Sequence, residues 1–155
     1  MIADVEVRLA TVADAASIAA MSRVYIEHGL PWRWRHDRIA RAIDDPDTNV
    51  VVVDERGTIA GFGIMSYADD DAHLLLFAVR RASQRAGIGS AILVWLETAA
   101  RAAGARRIRL EARRTNTAAR CFYNEHGYHE RVLRKGMYPS GEDGVHLEKW
   151  LRRDA

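Results

Sequence analysis

The sequence predicts an α/β domain built on a mixed sheet, with elements in the order β-α-α-β-β-β-α-β-α-β-β. Three observations carry that reading. Two apolar runs, 49–53 and 59–67, flank the turn sequence Glu55-Arg56-Gly57, which makes them a hairpin. The most apolar run, Leu74 to Val79, passes through a glycine-containing stretch into a segment with helical spacing, which makes a crossover. Arg107 to Ala112 then alternates and precedes a second helical segment, so strands and helices continue to interleave.

In order, Val5 to Leu9 alternates as a strand does. Thr11-Val12-Ala13-Asp14 has the form of a capping box and opens a helix with Ala15, Ile18, Met21 and Tyr25 on one face. Gly29-Leu30-Pro31 interrupts it, and a second helix is expected over 37–43, ending before Pro46. Asp69-Asp70-Asp71 is a turn before the strand Ala72 to Val79. Ile92, Trp95, Leu96, Ala99 and Ala103 recur at helical spacing, with Gly104 where a helix ends. Ile108, Leu110 and Ala112 mark the buried face of the next strand. Asn116 starts a helix that reaches His126, with Gly127 past its end. Strands near 128–133 and 145–151 close the chain.

No repeat, low-complexity tract or linker divides the 155 residues, so a single domain over 1–155 is expected. The 23 basic and 21 acidic residues leave a net charge of +2. That balance is too even to argue for nucleic acid or an anionic membrane as partner. Cys121 is the only cysteine, which fits a reducing compartment, and it is expected as a small core residue. Asp4, Glu6 and Arg8 do not make a signal peptide, and Leu74–Val79 is too short to span a bilayer, so a cytoplasmic protein is expected. Glu125-His126 and His129-Glu130 lack metal-ligand spacing, and no metal is expected.

The stretch Gln84-Arg85-Ala86-Gly87-Ile88-Gly89 sits between strand and helix. It is not a P-loop, because Ser90-Ala91 stands where Lys and Ser or Thr are needed. It is not a dinucleotide fingerprint either, because Ile92 occupies the third small position. Two readings stay open on these residues: a plain turn with solvated arginines, or a loop whose backbone N–H groups converge on an anion at a helix N-terminus, helped by Arg80, Arg81 and Arg85.

This loop, Gln/Arg-x-x-Gly-x-Gly/Ala, resembles the acyl-CoA loop of the GCN5-related N-acetyltransferases. The later block Asn116 to Tyr128, with Phe122-Tyr123-Asn124-Glu125-His126-Gly127-Tyr128, resembles that family's second block in order and spacing. The resemblance implies a mostly antiparallel central sheet of about seven strands flanked by about four helices. It implies acetyl-CoA as cosubstrate, held by Gln84, Arg85, Ala86, Gly87, Ile88, Gly89, Ser90 and Asn116, with backbone N–H groups of Ala78 and Val79 at the thioester. Tyr123 would face the cofactor sulfur and protonate the leaving thiolate, while Phe122 faces the core. The chain departs from the pattern at Arg81, where proline is usual, at Ser83, where an aromatic is common, and at Arg85, where many members have glycine.

Leu110-Glu111-Ala112-Arg113, with Asn116 and Tyr123 following, resembles the bacterial ribosomal-protein alanine N-acetyltransferases, as do Met137-Tyr138-Pro139 and Glu142-Asp143. In that subfamily the glutamate matching Glu111 is the general base. Its alternative is an ion pair with Arg109 or Arg113. His73 is either a second base candidate or a solvated histidine at a strand start. Trp32-Arg33-Trp34-Arg35-His36 either lies over the acceptor cleft or packs on the sheet with its arginines in water.

The activity so implied is direct transfer of acetyl from acetyl-CoA to a primary amine in a ternary complex, a protein or peptide α-amine being the leading acceptor. A small amine such as a polyamine, amino acid or drug is the competing acceptor, and a non-catalytic acyl-CoA-binding module is the competing class. The oligomeric state, monomer or homodimer, is left open.

Overall fold

The structure, a computed structural model, describes residues 5–84 and 86–152. Arg56 and Gly57 both take positive φ, 55° and 85°. Such a two-residue turn matches the twist of the strands it joins. It closes the hairpin of β2 (Thr48–Glu55) and β3 (Thr58–Ala68). β4 (Asp71–Val79) returns antiparallel to β3, and helix α3 (Ile88–Ala102) carries the chain across to β5 (Arg107–Arg113), which pairs with β4 in parallel. β7 (Gly144–Trp150) lies antiparallel between β5 and β6 (His129–Arg134), and β1 (Arg8–Leu9) edges β2. The sheet order is β1-β2-β3-β4-β5-β7-β6. This is the mixed, mostly antiparallel sheet expected, with β4–β5 its parallel step.

The first strand is shorter than its alternation suggested, since only Arg8 and Leu9 pair with Val52 and Val51. The capping box is real: Asp14 accepts the Thr11 N–H at 2.8 Å and is held by Arg8. The helix it opens is not uniform. A 3-10 turn at Val12–Asp14 leads into α1 (Ala15–Met21), which widens into a π turn over Ser22–Ile26. There the Glu27 N–H reaches Ser22 O, and the buried Glu27 carboxylate collects the Ser22 hydroxyl and the Arg33 and Trp34 N–H groups. This pins the loop before α2 (His36–Asp44).

The sheet has a core on each face. α1 and α2 cover Val50, Val52, Phe62, Ile64, Leu76 and Ala78, residues of β2, β3 and β4 alone. α3 and α4 (Thr117–Glu125) cover the other face, including Ile108, Leu110, Val145 and Leu147. α3 sits close because β3 offers no side chain beneath it: a Cβ on Gly63 would lie 2.8 Å from Leu96 and one on Gly61 3.0 Å from Ile92. The buried stripe of α3 runs through Ile88, Ile92, Leu93, Leu96, Glu97 and Ala100. It is rotated from the expected one, so Ala103 is exposed rather than packed. Cys121 is also exposed, against expectation, because α4 turns Tyr123 inward instead. Among the described residues no helix is long and apolar enough to cross a membrane.

Candidate active site

Pairing between β4 and β5 stops at Leu74 and Leu110. The cause lies on the other side of β4. Met65 pairs with Leu74 while Ile64 pairs with Leu76, which leaves Leu75 as an extra residue. Such a bulge bends its strand, and β4 leaves β5, which continues along β7 through Glu111, Ala112 and Arg113. An opening results between the end of β4 and β5. The bulge also exchanges the faces of β4. Ala72 and Leu74 enter the core under α3, whereas Leu76 and Ala78 enter the core under α1 and α2.

Backbone alternation decides which donors line the opening. The Arg80 N–H bonds Ala60 O at 2.7 Å. In an antiparallel ladder this commits the N–H of Ala78 to β3 and turns those of Phe77 and Val79 to the open edge. Of the two donors expected at the thioester, Val79 is so directed and Ala78 is not. Gln84 comes back to the same place, its side-chain amide donating to Val79 O at 3.1 Å.

The glycine loop follows. Gly87 takes φ 80° as the N-cap of α3 and brings no side chain to cap it. The N–H groups of Ile88, Gly89 and Ser90 are therefore free of intrahelical acceptors, as in any first turn, and no acidic side chain stands in that turn. Ile88 places its side chain in the core against Gly61, so only its backbone belongs to the loop. Gly89 has a packing reason of its own, since a Cβ there would meet the Phe122 ring at 3.3 Å. Ser90 bonds His126 at 3.0 Å. Ala86 is exposed, and the expected contact from Arg85 lies outside the described residues.

The Phe-Tyr-x-x-x-Gly-Tyr block is a helix terminus that fixes one tyrosine. Asn116 caps α4 by accepting the Ala119 N–H at 3.1 Å, so its side chain is used in the helix start. At the other end Gly127 has φ 88°. Its N–H bonds Asn124 O at 3.1 Å, and the Tyr128 N–H bonds Tyr123 O at 3.0 Å, the pair of bonds that defines a Schellman ending. Tyr128 stays put because its hydroxyl donates to buried Glu97 at 2.8 Å, and Lys149 also holds Glu97. The Tyr123 ring lies against Phe77, Phe122 and Tyr128. Tyr123 is buried, at 6% exposure, and Phe122 packs against the same core as expected while staying partly exposed. The Tyr123 hydroxyl has no hydrogen-bond partner among the described residues, and burial pushes it above the ordinary phenol range.

Glu111 lies on the face of the sheet opposite to Tyr123, since its neighbours Leu110 and Ala112 share the core that holds Tyr123. Its Oε2 is 2.6 Å from His73 Nε2, and its Oε1 is 3.7 Å from His146 Nε2. His73 is thus bound to Glu111 rather than solvated, and the expected ion pair of Glu111 with Arg109 or Arg113 is replaced by this imidazole pair. Burial by itself would raise the Glu111 carboxyl. The His73 hydrogen bond and the charges of His73, His146 and Arg109 outweigh it and hold the carboxyl below its ordinary value. Arg113 is instead a buried clamp, donating to Ile26 O at 2.8 Å, His28 O at 2.7 Å and Glu142 at 3.3 Å. It joins β5 to the α1–α2 loop and to the segment after Tyr138, whose hydroxyl is raised by burial and then by the Glu111 charge.

Trp32 and Trp34 of that loop pack on the α1/α2 core, with Arg35 stacked on Trp32 and Arg38 on Trp34. Packing is therefore their observed role. His146 was not visible as a site residue in the sequence. Its signal was the alternation Val145-His146-Leu147-Glu148, which places His146 beside Glu111 only once the β5–β7 register is known. No group of His, Cys, Asp or Glu among the described residues is arranged to hold a metal ion.

An opening between parallel strands, an uncapped glycine turn and a tyrosine fixed by a helix ending are the parts of one family. Residues 16–128 match the acetyltransferase (GNAT) family, more than half of the chain, and the chain belongs to it. Among curated relatives, ribosomal protein bS18-alanine N-acetyltransferase of Escherichia coli is 34% identical over 86 residues, covering 56% of this chain and 58% of that protein. An uncharacterized N-acetyltransferase of Methanocaldococcus jannaschii is 34% identical over 94 residues, 60% of each chain. The chain thus spans about three fifths of the length of these relatives. Among solved structures, Ard1 of Thermoplasma volcanium superposes with a TM-score of 0.85 at 21% identity, covering 96% of this chain and 98% of that one. The Escherichia coli ribosomal-protein-S18-alanine N-acetyltransferase does so with 0.82 at 24% identity, covering 97% and 96%. YncA of Salmonella typhimurium, solved with its cofactor acetyl-CoA, does so with 0.83 at 18% identity, covering 99% and 97%. These likenesses define the fold.

Proposed function

We propose that the protein is an N-acetyltransferase that moves acetyl from acetyl-CoA to a primary amine, with a protein or peptide α-amine as acceptor. One observation carries the reading. Tyr123, its ring 6.0 Å from that of Phe77 on β4, and the Glu111–His73 pair lie on opposite faces of the sheet, near where the pairing of β4 with β5 ends. A thioester entering the opening meets an acid on one side and a base on the other.

The cosubstrate's pyrophosphate fits the uncapped first turn of α3, where N–H groups and the helix dipole favour an anion. Its thioester carbonyl lies along β4, where the Val79 N–H stabilises the oxyanion that forms on attack. The acceptor comes from the Glu111 face. Glu111, ionised and joined to His73, takes the ammonium proton directly or through water. The amine nitrogen then bonds to the carbonyl carbon, the C–S bond breaks, the Tyr123 hydroxyl gives its proton to the sulfur, and the second nitrogen proton, lost as the amide forms, returns to the Tyr123 oxygen directly or through water. An α-amine with pKa of about 7.7–8.0 is already roughly a tenth neutral at pH 7, so the base has modest work to do. The names of the Escherichia coli and Methanocaldococcus jannaschii relatives support amine acetylation, and that of the former supports a protein acceptor.

The test is thiol release from acetyl-CoA with N-terminal peptides and small amines as acceptors. Wild type is expected to release thiol with peptides. Glu111→Gln and Tyr123→Phe are each expected to lower kcat by about 10²-fold or more, the usual worth of a positioned acid or base. Wild-type turnover in both variants across pH would remove these roles, and exclusive use of small amines would replace the acceptor class.

A further inference from the structure

The face of the sheet that carries Glu111 is not covered along its whole width. The core under α1 and α2 takes residues from β2, β3 and β4 and none from β5, β7 or β6. Beyond His146 this uncovered part forms an open groove of about 530 Å³, lined on β5 by Arg107 and Arg109 and on β6 by Arg131 and Arg134. The groove lies against the end of β4 and β5 that stays paired, on the Glu111 face, and His146, which lines it and stands 3.7 Å from Glu111, joins it to the acceptor's side of the opening.

Local structure explains why so many arginines face one way. Arg107 and Arg109 share the Glu111 face by simple alternation along β5. On β6 the register slips between Glu130 and Val132, so that Arg131 is the extra residue of a bulge, and Arg134 pairs with Gly144, which has no side chain to stand between them. The bulge lets Arg131 reach Glu148 at 3.2 Å, on the same face as His146.

The charges do not cancel. Asp71 and Glu148 are the carboxylates of the groove. Arg107 holds both, at 3.0 and 2.9 Å, and Arg131 shares Glu148. Arg109 and Arg134 have no ion pair or side-chain hydrogen bond among the described residues; Arg109 acts on Glu111 and Asp71 through its charge alone, and the donors of both guanidinium groups stay available. Arg109 stands two residues before Glu111, about 7 Å along the strand. Arg134 is on the outer strand, two inter-strand spacings or about 10 Å across from β5, and its pairing with Gly144 puts it about two residues, or 7 Å, past Glu111 in the direction opposite to Arg109.

We infer that this groove binds the body of the acceptor and selects an anionic one, namely a chain whose amino-terminus lies at Glu111 and His73 while acidic side chains at its second and third residues meet Arg109 and Arg134. An extended peptide crossing from β5 toward β6 advances about 3.3 Å per residue and sends successive side chains to opposite sides, so long acidic side chains at two consecutive positions turn toward the two arginines that flank Glu111 on opposite sides. A basic acceptor finds no free partner there, because both carboxylates are already held by arginine. The inference rests on the acceptor side assigned under the proposed function.

The experiment uses the whole protein and a matched set of peptides beginning with alanine, with Glu, Gln or Lys at positions two and three, and glutamate as a small acidic amine. Binding is measured by calorimetry in the presence of coenzyme A, and turnover by thiol release. The glutamate peptide is expected to bind about tenfold more tightly than the glutamine peptide, the scale of two partly exposed charge contacts. In an Arg109→Gln, Arg134→Gln variant the ratio between these peptides should fall toward one, and rising salt should erase it in wild type. Equal or tighter binding of the glutamine or lysine peptide, an unchanged ratio in the variant, or preference for free glutamate over every peptide would overturn the inference. Selective binding without turnover of any amine would instead remove the proposed activity and leave the groove's selectivity standing.

Discussion

At Glu111 two opposing effects act on one carboxyl: partial burial favours the neutral acid, and His73 at 2.6 Å, with His146 and Arg109 nearby, favours the anion. The anion wins, so the carboxyl titrates below its ordinary value of 4.5. In the proposed role of base, a carboxylate already ionised throughout the neutral range contributes no step to the pH–rate profile there. The prediction is that His73→Ala, which removes the largest favourable contact, lets burial raise the Glu111 carboxyl. The acid limb of kcat/KM then moves to higher pH. Titration of the Glu111 carboxyl carbon by NMR should show the same upward movement in the free enzyme, and an unmoved carboxyl would mean that His73 does not set its charge. Tyr123 presents the simpler case. Burial alone raises its hydroxyl, which keeps the proton on the oxygen through the neutral range, as the proposed role requires.

Elements explain why those side chains are where they are. Tyr123 is held by the ending of α4, in which Gly127 at φ 88° lets the Tyr128 N–H reach Tyr123 O. Gly127→Ala should cost about 1–2 kcal/mol for a left-handed non-glycine residue, and it should also lower kcat by disturbing Tyr123. Gly104→Ala, at φ 85° past the end of α3, should cost a similar amount with kcat retained. Equal kcat in the two variants would show that the helix ending does not position the tyrosine. Gly63→Ala tests the α3 contact. Its Cβ would lie 2.8 Å from buried Leu96, an overpacking expected to cost about 1–3 kcal/mol by urea unfolding. The helices and hairpins were legible in the sequence because their signals are local: a glycine past a helix end, an Arg-Gly turn, an Asn before an apolar face. The face of β4 was not. Alternation puts Ala72, Leu74, Leu76 and Ala78 together, and only the pairing with β3 reveals Leu75 as the extra residue that separates them. The partner of Glu111 was hidden for the same reason, since His73 is 38 residues away and meets it through a parallel pairing made in three dimensions.

For the molecule as a whole, the same ionisable groups set a window of stability. Asp14 and Asp71 are held below the ordinary carboxylate range, each chiefly by an arginine hydrogen bond, from Arg8 and Arg107 respectively, and Glu111 is lowered as well. A carboxyl lower in the folded than in the unfolded chain stabilises the fold above its unfolded pKa, and that contribution is lost as pH falls through the folded value. Stability should therefore decline below about pH 4, where unfolded carboxylates take up protons. At the other end Tyr123 and Tyr128 are both raised, each first by burial. The unfolded chain then ionises its phenols at about pH 10 while the folded one cannot, so the unfolded state binds fewer protons and stability falls as pH rises past that value. Urea midpoints measured from pH 3 to 11 should form a plateau with two falling limbs. Asp14→Asn should weaken the dependence on the acid side. Tyr123→Phe should weaken it on the alkaline side, because a phenylalanine has no proton to lose in either state. An alkaline limb unaltered by Tyr123→Phe would mean that this hydroxyl reaches water in the folded protein. The route by which it does so would be the β4–β5 opening itself.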